Sequence, residues 1–289
     1  MLELYYRCRP ERGVFRMSIR MWESILPELS KVRARLDDRM PVISKQHLRF
    51  MGLGSYDVHK MFPAILVLLT ARMFGAPSQQ ANCLASAVQF IQTGTDIHRT
   101  IPDEGRGLRH LEKATIPFSV LVGDLYYCQF LSLLCEGELL EYLTPISRTV
   151  CRVHEGGVLR KELVEPGFAT DEHITSMREM EFASLPVLAC RVAGEICGAS
   201  PRQLAALEQL GRAVGLLAGC RILAATSDEV VEWLDEAMEA LRALPQGAMA
   251  EAFRVLLSQL HGGVRTDGLK LPLEKPILEG IVKPRVVVV

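Results

Sequence analysis

Four residues near the end of one apolar stretch have types and spacing suited to chemistry. Asp96, Arg99, Thr100 and Asp103 stand three, four or seven positions apart, so they share one helix face if the helix persists to Asp103. Two carboxylates on such a face could hold a divalent cation, since magnesium takes oxygen ligands and needs one or two carboxylates among them. Arg99, together with Arg106 from the segment that follows, could instead bind a diphosphate without metal, because guanidinium groups match phosphate oxygens. The third arrangement needs no ligand: Asp96 pairs internally with Arg99 or Thr100.

The stretch from Ala85 to Asp103 has to position these groups. Ala85, Val88, Ile91 and the small Thr95 recur at helical spacing, which predicts a mostly buried helix. Ser78 is placed to cap it, and Pro102 stops it. Upstream, Met17, Met21, Trp22, Ile25 and Leu29 lie close to one face of a helix predicted from Phe15 to Leu36, kinked or broken at Pro27. A helix from about Lys60 to Phe74 ends at Gly75 as a C-terminal cap. Asp103 to Thr115 is predicted as a polar loop.

Downstream, Pro117 to Leu143 is the longest apolar segment and reads as one helix, hydrophobic on nearly every side. Such a helix lies central to a core or against another subunit. Thr144 to Thr170 is expected to be less regular, punctuated by Gly156, Gly157, Pro166 and Gly167. Thr170 or Asp171 caps a helix to Cys197 that is interrupted at Pro186 and closed by Gly198. Ser200-Pro201 starts another, and Ser227-Asp228-Glu229 the next, with two carboxylates at the positive end of its dipole. Helices near Glu229–Ala243 and Ala248–Leu260 complete the set. The domain expected is 1–262, followed by an irregular tail, 263–289, whose prolines at 272, 276 and 284 exclude a regular helix.

A formal net charge of −1 without a clustered basic face argues against a nucleic-acid partner. Phe62 to Leu69 is far shorter than the roughly 20 apolar residues that span a bilayer, and the N-terminus has no apolar signal core, so a cytoplasmic, non-membrane protein is expected. Eight cysteines fall in helical segments at spacings that match no zinc site. Cys128/Cys135 and Cys190/Cys197 lie about 10 Å apart along a helix, too far for a disulfide, and free core thiols are expected.

Several stretches, in order, carry a family resemblance. Ile97-His98 leads into Arg99, Thr100 and Asp103; Val58-His59-Lys60-Met61-Phe62-Pro63 precedes a leucine-rich helix; Val120-Leu121-Val122-Gly123-Asp124-Leu125-Tyr126 follows; then come Glu181-Phe182-Ala183-Ser184-Leu185 and Gly211-Arg212-Ala213-Val214-Gly215. From about Arg20 to Leu260 this resembles the trans-polyprenyl diphosphate synthases. In that family Ile-His leads into Asp-Asp-x-x-Asp, and Gly-Arg-x-x-Gly precedes a second aspartate-rich motif. The resemblance implies an all-α fold, an isoprenoid-synthase-type helical bundle around a central cavity, with the apolar helix from Pro117 at a dimer interface.

The functional positions depart from that pattern. The first motif reads Arg99, Thr100, Asp103, and the second falls on Ile222, Leu223 and Thr226, with no carboxylate. His59 stands for a lysine, Phe62 for an arginine, Gln92 for a histidine, and Glu181-Phe182 for a Lys-Thr pair. Lys60, Arg99, Arg106 and Arg109 are what remains for binding a diphosphate, and Asp96 and Asp103 are the candidate metal ligands. Family catalysis needs magnesium at the leaving diphosphate. A cation such as Arg99 at about 4 Å from it, at an effective dielectric of about 20, costs roughly 4 kcal/mol per unit of like charge. The resemblance then implies no catalytic residue, no cofactor and a non-catalytic subunit that supports or tunes an active synthase in isoprenoid or quinone synthesis. The alternatives are a divergent prenyltransferase or diphosphate lyase that uses magnesium, and a stand-alone isoprenoid-binding protein as a homodimer.

Overall fold

The computed structural model describes residues 24–40, 58–75, 78–101, 110–163, 169–220 and 222–261. Among these are ten α-helices and no strand: α1 (Leu26–Arg39), α2 (Val58–Phe74), α3 (Gln79–Arg99), α4 (His110–Glu136), α5 (Leu143–Glu162), α6 (Asp171–Arg178), α7 (Ser184–Ile196), α8 (Pro201–Gly219), α9 (Ser227–Arg242) and α10 (Ala248–His261). The fold is all-α, as expected. The proposed boundary at residue 262 and the tail beyond it lie outside the described residues.

Side-chain caps set most starts. Ser78 accepts the Ala81 N–H at 3.1 Å to open α3, Thr170 accepts that of His173 at 3.2 Å to open α6, and Ser200 with Gln203 forms a reciprocal capping box on α8. On α9 the cap is Thr226, one residue before the expected Ser227, because only Thr226 stands three residues ahead of Glu229 to complete a box. Gly198 takes φ +74° after α7, a left-handed turn that a side chain would strain. Gly75 adopts no such turn after α2.

Proline placement decides one expectation and corrects two. Of the kink or break expected at Pro27, the break holds: Pro27 lies in the first turn of α1, where its missing N–H would be unpaired anyway, and opens the helix. Pro117 sits inside α4, which already begins at His110, so the predicted loop to Thr115 is helical at its end. Pro186 lies in the first turn of α7; the break expected there comes earlier, as a π-helical turn over Glu179–Ala183.

The apolar segment from Pro117 also divides. α4 stops at Glu136, Glu138 takes φ +55°, a 3-10 turn follows over Leu140–Tyr142, and α5 runs back along the bundle. The stretch expected to be irregular is therefore helical as far as Glu162. Gly156 does not break α5, because its role is close packing: a Cβ there would stand 2.6 Å from the Glu181 backbone nitrogen.

α3 is the central rod. Leu84, Val88, Phe90, Ile91 and Ile97 are fully buried on it, and α2 supplies Ile65 through Leu69, also fully buried. Each such side chain contributes about 1.5–3 kcal/mol of burial. α3 packs against α1, α2, α4 and α7, so the C-terminal turn holding Asp96 and Arg99 is fixed from several sides. It ends at Arg99, where Thr100 turns back on the Ile97 carbonyl through both its N–H and its hydroxyl. The helix thus does not persist to residue 103, and Asp103, Arg106 and Arg109 lie outside the described residues.

Candidate functional site

Arg99, at the end of α3, is held by three donations. Its Nε donates to Glu181 Oε1 at 2.9 Å, its Nη1 to Asp96 Oδ1 at 2.9 Å, and its Nη2 to the Glu181 carbonyl at 3.3 Å. The guanidinium also lies 4.9 Å over the Phe182 ring. Glu181 comes from the π-turn, whose extra residue shifts the register of the side chains that follow. Its side chain is 1% exposed, and its second oxygen accepts from Arg160 of α5 at 2.8 Å. Gln92 completes Asp96 with an amide donation at 2.9 Å.

Two carboxylates and two guanidinium groups therefore form a neutral junction tying α3, α5 and the π-turn together. Burial pushes the Asp96 carboxyl above its usual range, opposed by Arg99 and Gln92. Lys60 adds a weaker attraction on Asp96 from α2. Among the described residues no group of three His, Cys, Asp or Glu side chains is arranged to hold a metal ion. An incoming anion would have to displace an almost fully buried carboxylate from Arg99.

The second set of expected positions serves structure. Ile222 is exposed and Leu223 nearly buried in the turn between α8 and α9. Thr226 caps α9, receiving the Glu229 N–H while Glu229 accepts the Thr226 N–H at 2.8 Å. That backbone donation, with Arg178, holds the Glu229 carboxyl below the usual carboxylate range. Gly211 and Gly215 let α8 lie directly on the backbone at Pro186 and Phe182, which fixes the π-turn carrying Glu181.

Sequence reasoning missed a polar chain beside the junction. Thr95 Oγ1 lies 2.7 Å from the Tyr127 hydroxyl, which lies 2.6 Å from His154 Nε2, linking α3, α4 and α5. His98 packs 5.5 Å from the Tyr127 ring and 5.8 Å from that of His154. Its Nε2 reaches the Val120 carbonyl at 3.3 Å and Asp124 at 3.4 Å. The ring occupies the space where any Cβ on Gly123 would stand. Burial pushes Tyr127 up to about 12, and burial, then His98 and Arg99, lower His154 below its ordinary value.

The outer faces of α4 and α5 are of another kind. Val122, Tyr126, Phe130, Leu133 and Leu134 point inward, while Leu121, Leu131 and Val158 are exposed, Leu121 by 68%. Cys128 and Cys135 on α4 and Cys151 on α5 are exposed free thiols, against the expectation of core thiols that Cys83 and Cys190 meet. Leu121, Cys128, Leu131 and Cys135 recur at seven, three and four residues, a heptad-like seam. By length and composition, Ile116–Glu136 is apolar enough to cross a membrane, with a third of its window buried. The apolar-run criterion passed over it because Asp124 and Gln129 interrupt it.

No family model matches the chain. In sequence it is 28% identical over 170 residues to octaprenyl diphosphate synthase of Escherichia coli, covering 56% of this chain and 53% of that protein. It is 28% identical over 166 residues to a short chain isoprenyl diphosphate synthase of Methanothermobacter thermautotrophicus, covering 54% of this chain and 50% of that protein. The chain spans about half the length of the curated relatives it matches. In structure it is similar to a decaprenyl diphosphate synthase of Rhodobacter capsulatus, with a TM-score of 0.70 at 20% identity, over 86% of this chain and all of that one. It is also similar to a deletion mutant of the mint heterotetrameric geranyl pyrophosphate synthase, with a TM-score of 0.64 at 16% identity, over 80% of this chain and 97% of that one.

Proposed function

Because the chain is a relative of the polyprenyl diphosphate synthases in sequence and fold, we propose that it is a non-catalytic subunit of a heteromeric polyprenyl diphosphate synthase, supporting or tuning an active partner. One observation carries this reading. Arg99, at the position where the family resemblance expects the first metal-binding aspartate, is closed into an ion pair with Glu181, whose carboxylate is almost fully buried.

Magnesium does not fit the described residues. It needs oxygen ligands in near-octahedral array, and here the Asp96 carboxylate faces Arg99 while Glu181 is shared between two guanidinium groups. The chain's own residues instead do mechanical work: Arg99, Glu181 and Arg160 hold α3, α5 and the π-turn together where the resemblance implies that an active synthase uses metal and diphosphate.

The outer face of α4 and α5 supports the subunit role. Exposed leucines in a heptad-like seam with two free thiols on α4 make a surface that favours burial against another helix, and a third exposed thiol, Cys151, lies on α5. The mint geranyl pyrophosphate synthase is heterotetrameric, so this fold occurs in mixed assemblies. The product would feed isoprenoid or quinone synthesis, in the cytoplasm.

Prenyl transfer from radiolabelled isopentenyl diphosphate to an allylic primer with magnesium tests the proposal, using the purified chain alone and then mixed with the active synthase of the same cell. No product alone, with a changed rate or product length in the mixture, is expected. Magnesium-dependent product from the chain alone overturns it.

A further inference from the structure

We propose that Asp124 tunes the outer face of α4 to a partner helix that sets an arginine or lysine between apolar residues, and turns away a second copy of this chain. The seam on that face is regular. Pro117, Leu121, Asp124, Cys128, Leu131 and Cys135 follow one another at steps of four, three, four, three and four, and all six are exposed. That is the spacing at which one helix meets another at a shallow crossing. α4 packs chiefly on α3, and the seam consists of residues that this packing leaves uncovered.

One of the six is charged. Between Ile116 and Glu136 the chain holds two carboxylates and no lysine or arginine. Glu136 is held through both oxygens by Arg39 of α1. Asp124 is 59% exposed, and its ion-pair contact is His98 Nε2 at 3.4 Å, a nitrogen it shares with the Val120 carbonyl. That contact is longer than a good charged hydrogen bond.

A helix that covers the seam takes the Asp124 carboxylate out of water, where it needs an opposite charge or strong donors. Arginine or lysine at the facing layer supplies them, arginine matching both oxygens at once. The seam has no such group to offer a second copy. In a parallel pair Asp124 faces Asp124. In an antiparallel pair the spacing, which reads the same in both directions about position 126, lays Leu121 on Leu131 and Asp124 on Cys128, a weak donor. The two carboxylates then lie about 6 Å apart along the axis. Any other register sets Asp124 against leucine, proline, thiol or its own counterpart. One polar group in an apolar seam lets a helix choose its partner, at some cost in stability. That a synthase is the partner rests on the subunit reading above; the rejection of a second copy does not, and is read on this chain alone.

Sedimentation equilibrium of the full-length chain alone, and surface binding of the chain to the active synthase of the same cell, test the assignment in wild type, Asp124→Leu and Asp124→Asn. Removing the charge should tighten self-association at least about tenfold in Asp124→Leu and less in Asp124→Asn, and weaken synthase binding at least about tenfold in both. Self-association no tighter than in wild type, or synthase binding undiminished, overturns the proposal. So does tightening that survives the addition of Leu121→Arg, since the contact then lies off the seam. Should Asp124→Leu fail to fold, Asp124→Asn, which keeps the shape of the side chain, decides by the direction of the same two readings. A synthase that binds no form of the chain, while self-association tightens, overturns the subunit reading and supports the rejection of a second copy.

Discussion

At the C-terminal end of α3 each charge meets an opposite charge inside the protein, whereas on the outer face of α4 and α5 leucines, a valine and three thiols meet water. A site whose charges are satisfied from within has little to offer a charged ligand. A surface that exposes what proteins ordinarily bury has something to offer a partner. The contrast moves the expected work of the molecule from the end of α3 to the outside of α4.

The contrast can be broken most sharply at Glu181. Glu181→Ala leaves Arg99 and Arg160 facing each other without their shared carboxylate, and should cost about 3–5 kcal/mol in denaturant unfolding. A loss below about 1 kcal/mol would mean that the junction is not the closed unit described. On the other side, Leu121→Arg with Leu131→Arg should leave unfolding nearly unchanged, within about 0.5 kcal/mol. It should weaken association with the partner synthase at least about 30-fold by sedimentation or surface binding; unchanged association would remove α4 from the interface.

Between the two regions, Gly123→Ala forces the His98 ring off α4 and should cost about 1–3 kcal/mol, read by thermal unfolding. Smallest is Tyr127→Phe, which removes the hydroxyl between Thr95 and His154 and should cost about 1 kcal/mol. If Tyr127→Phe cost as much as Glu181→Ala, the polar chain rather than the ion pairs would be the principal tie among the helices.

Which of these features could be read from the chain follows from how far apart their parts lie. Caps and proline starts are local, so Ser78, Thr170, Gly198 and Ser200-Pro201 gave their helices correctly. The Asp96–Arg99 pair was open to the same reasoning, being three residues apart on one helix. Arg99 and Glu181 are separated by 82 residues and Tyr127 and His154 by 27, and no periodicity links them. The π-turn was invisible because Glu-Met-Glu-Phe-Ala has ordinary helical propensity, and the close packing of α8 on Phe182 and Pro186 beside it joins residues far apart in the chain. Gly156 misled for the same reason, since a glycine that admits a neighbouring backbone looks, in sequence, like one that ends a helix.

The α3–α4 pair has a consequence in time. Its tie from Thr95 to Tyr127 joins residues 32 apart, and closing a short loop is fast and entropically cheap. The Arg99–Glu181 tie must wait until Glu181 has left the ribosome and the intervening chain has been threaded into place. The pair can therefore form on the nascent chain, with the leucine and cysteine seam of α4 complete, while the rest of the bundle is still open. Assembly with another chain would then begin during synthesis, and a partner supplied late would meet a subunit already exposed to aggregation through the same seam.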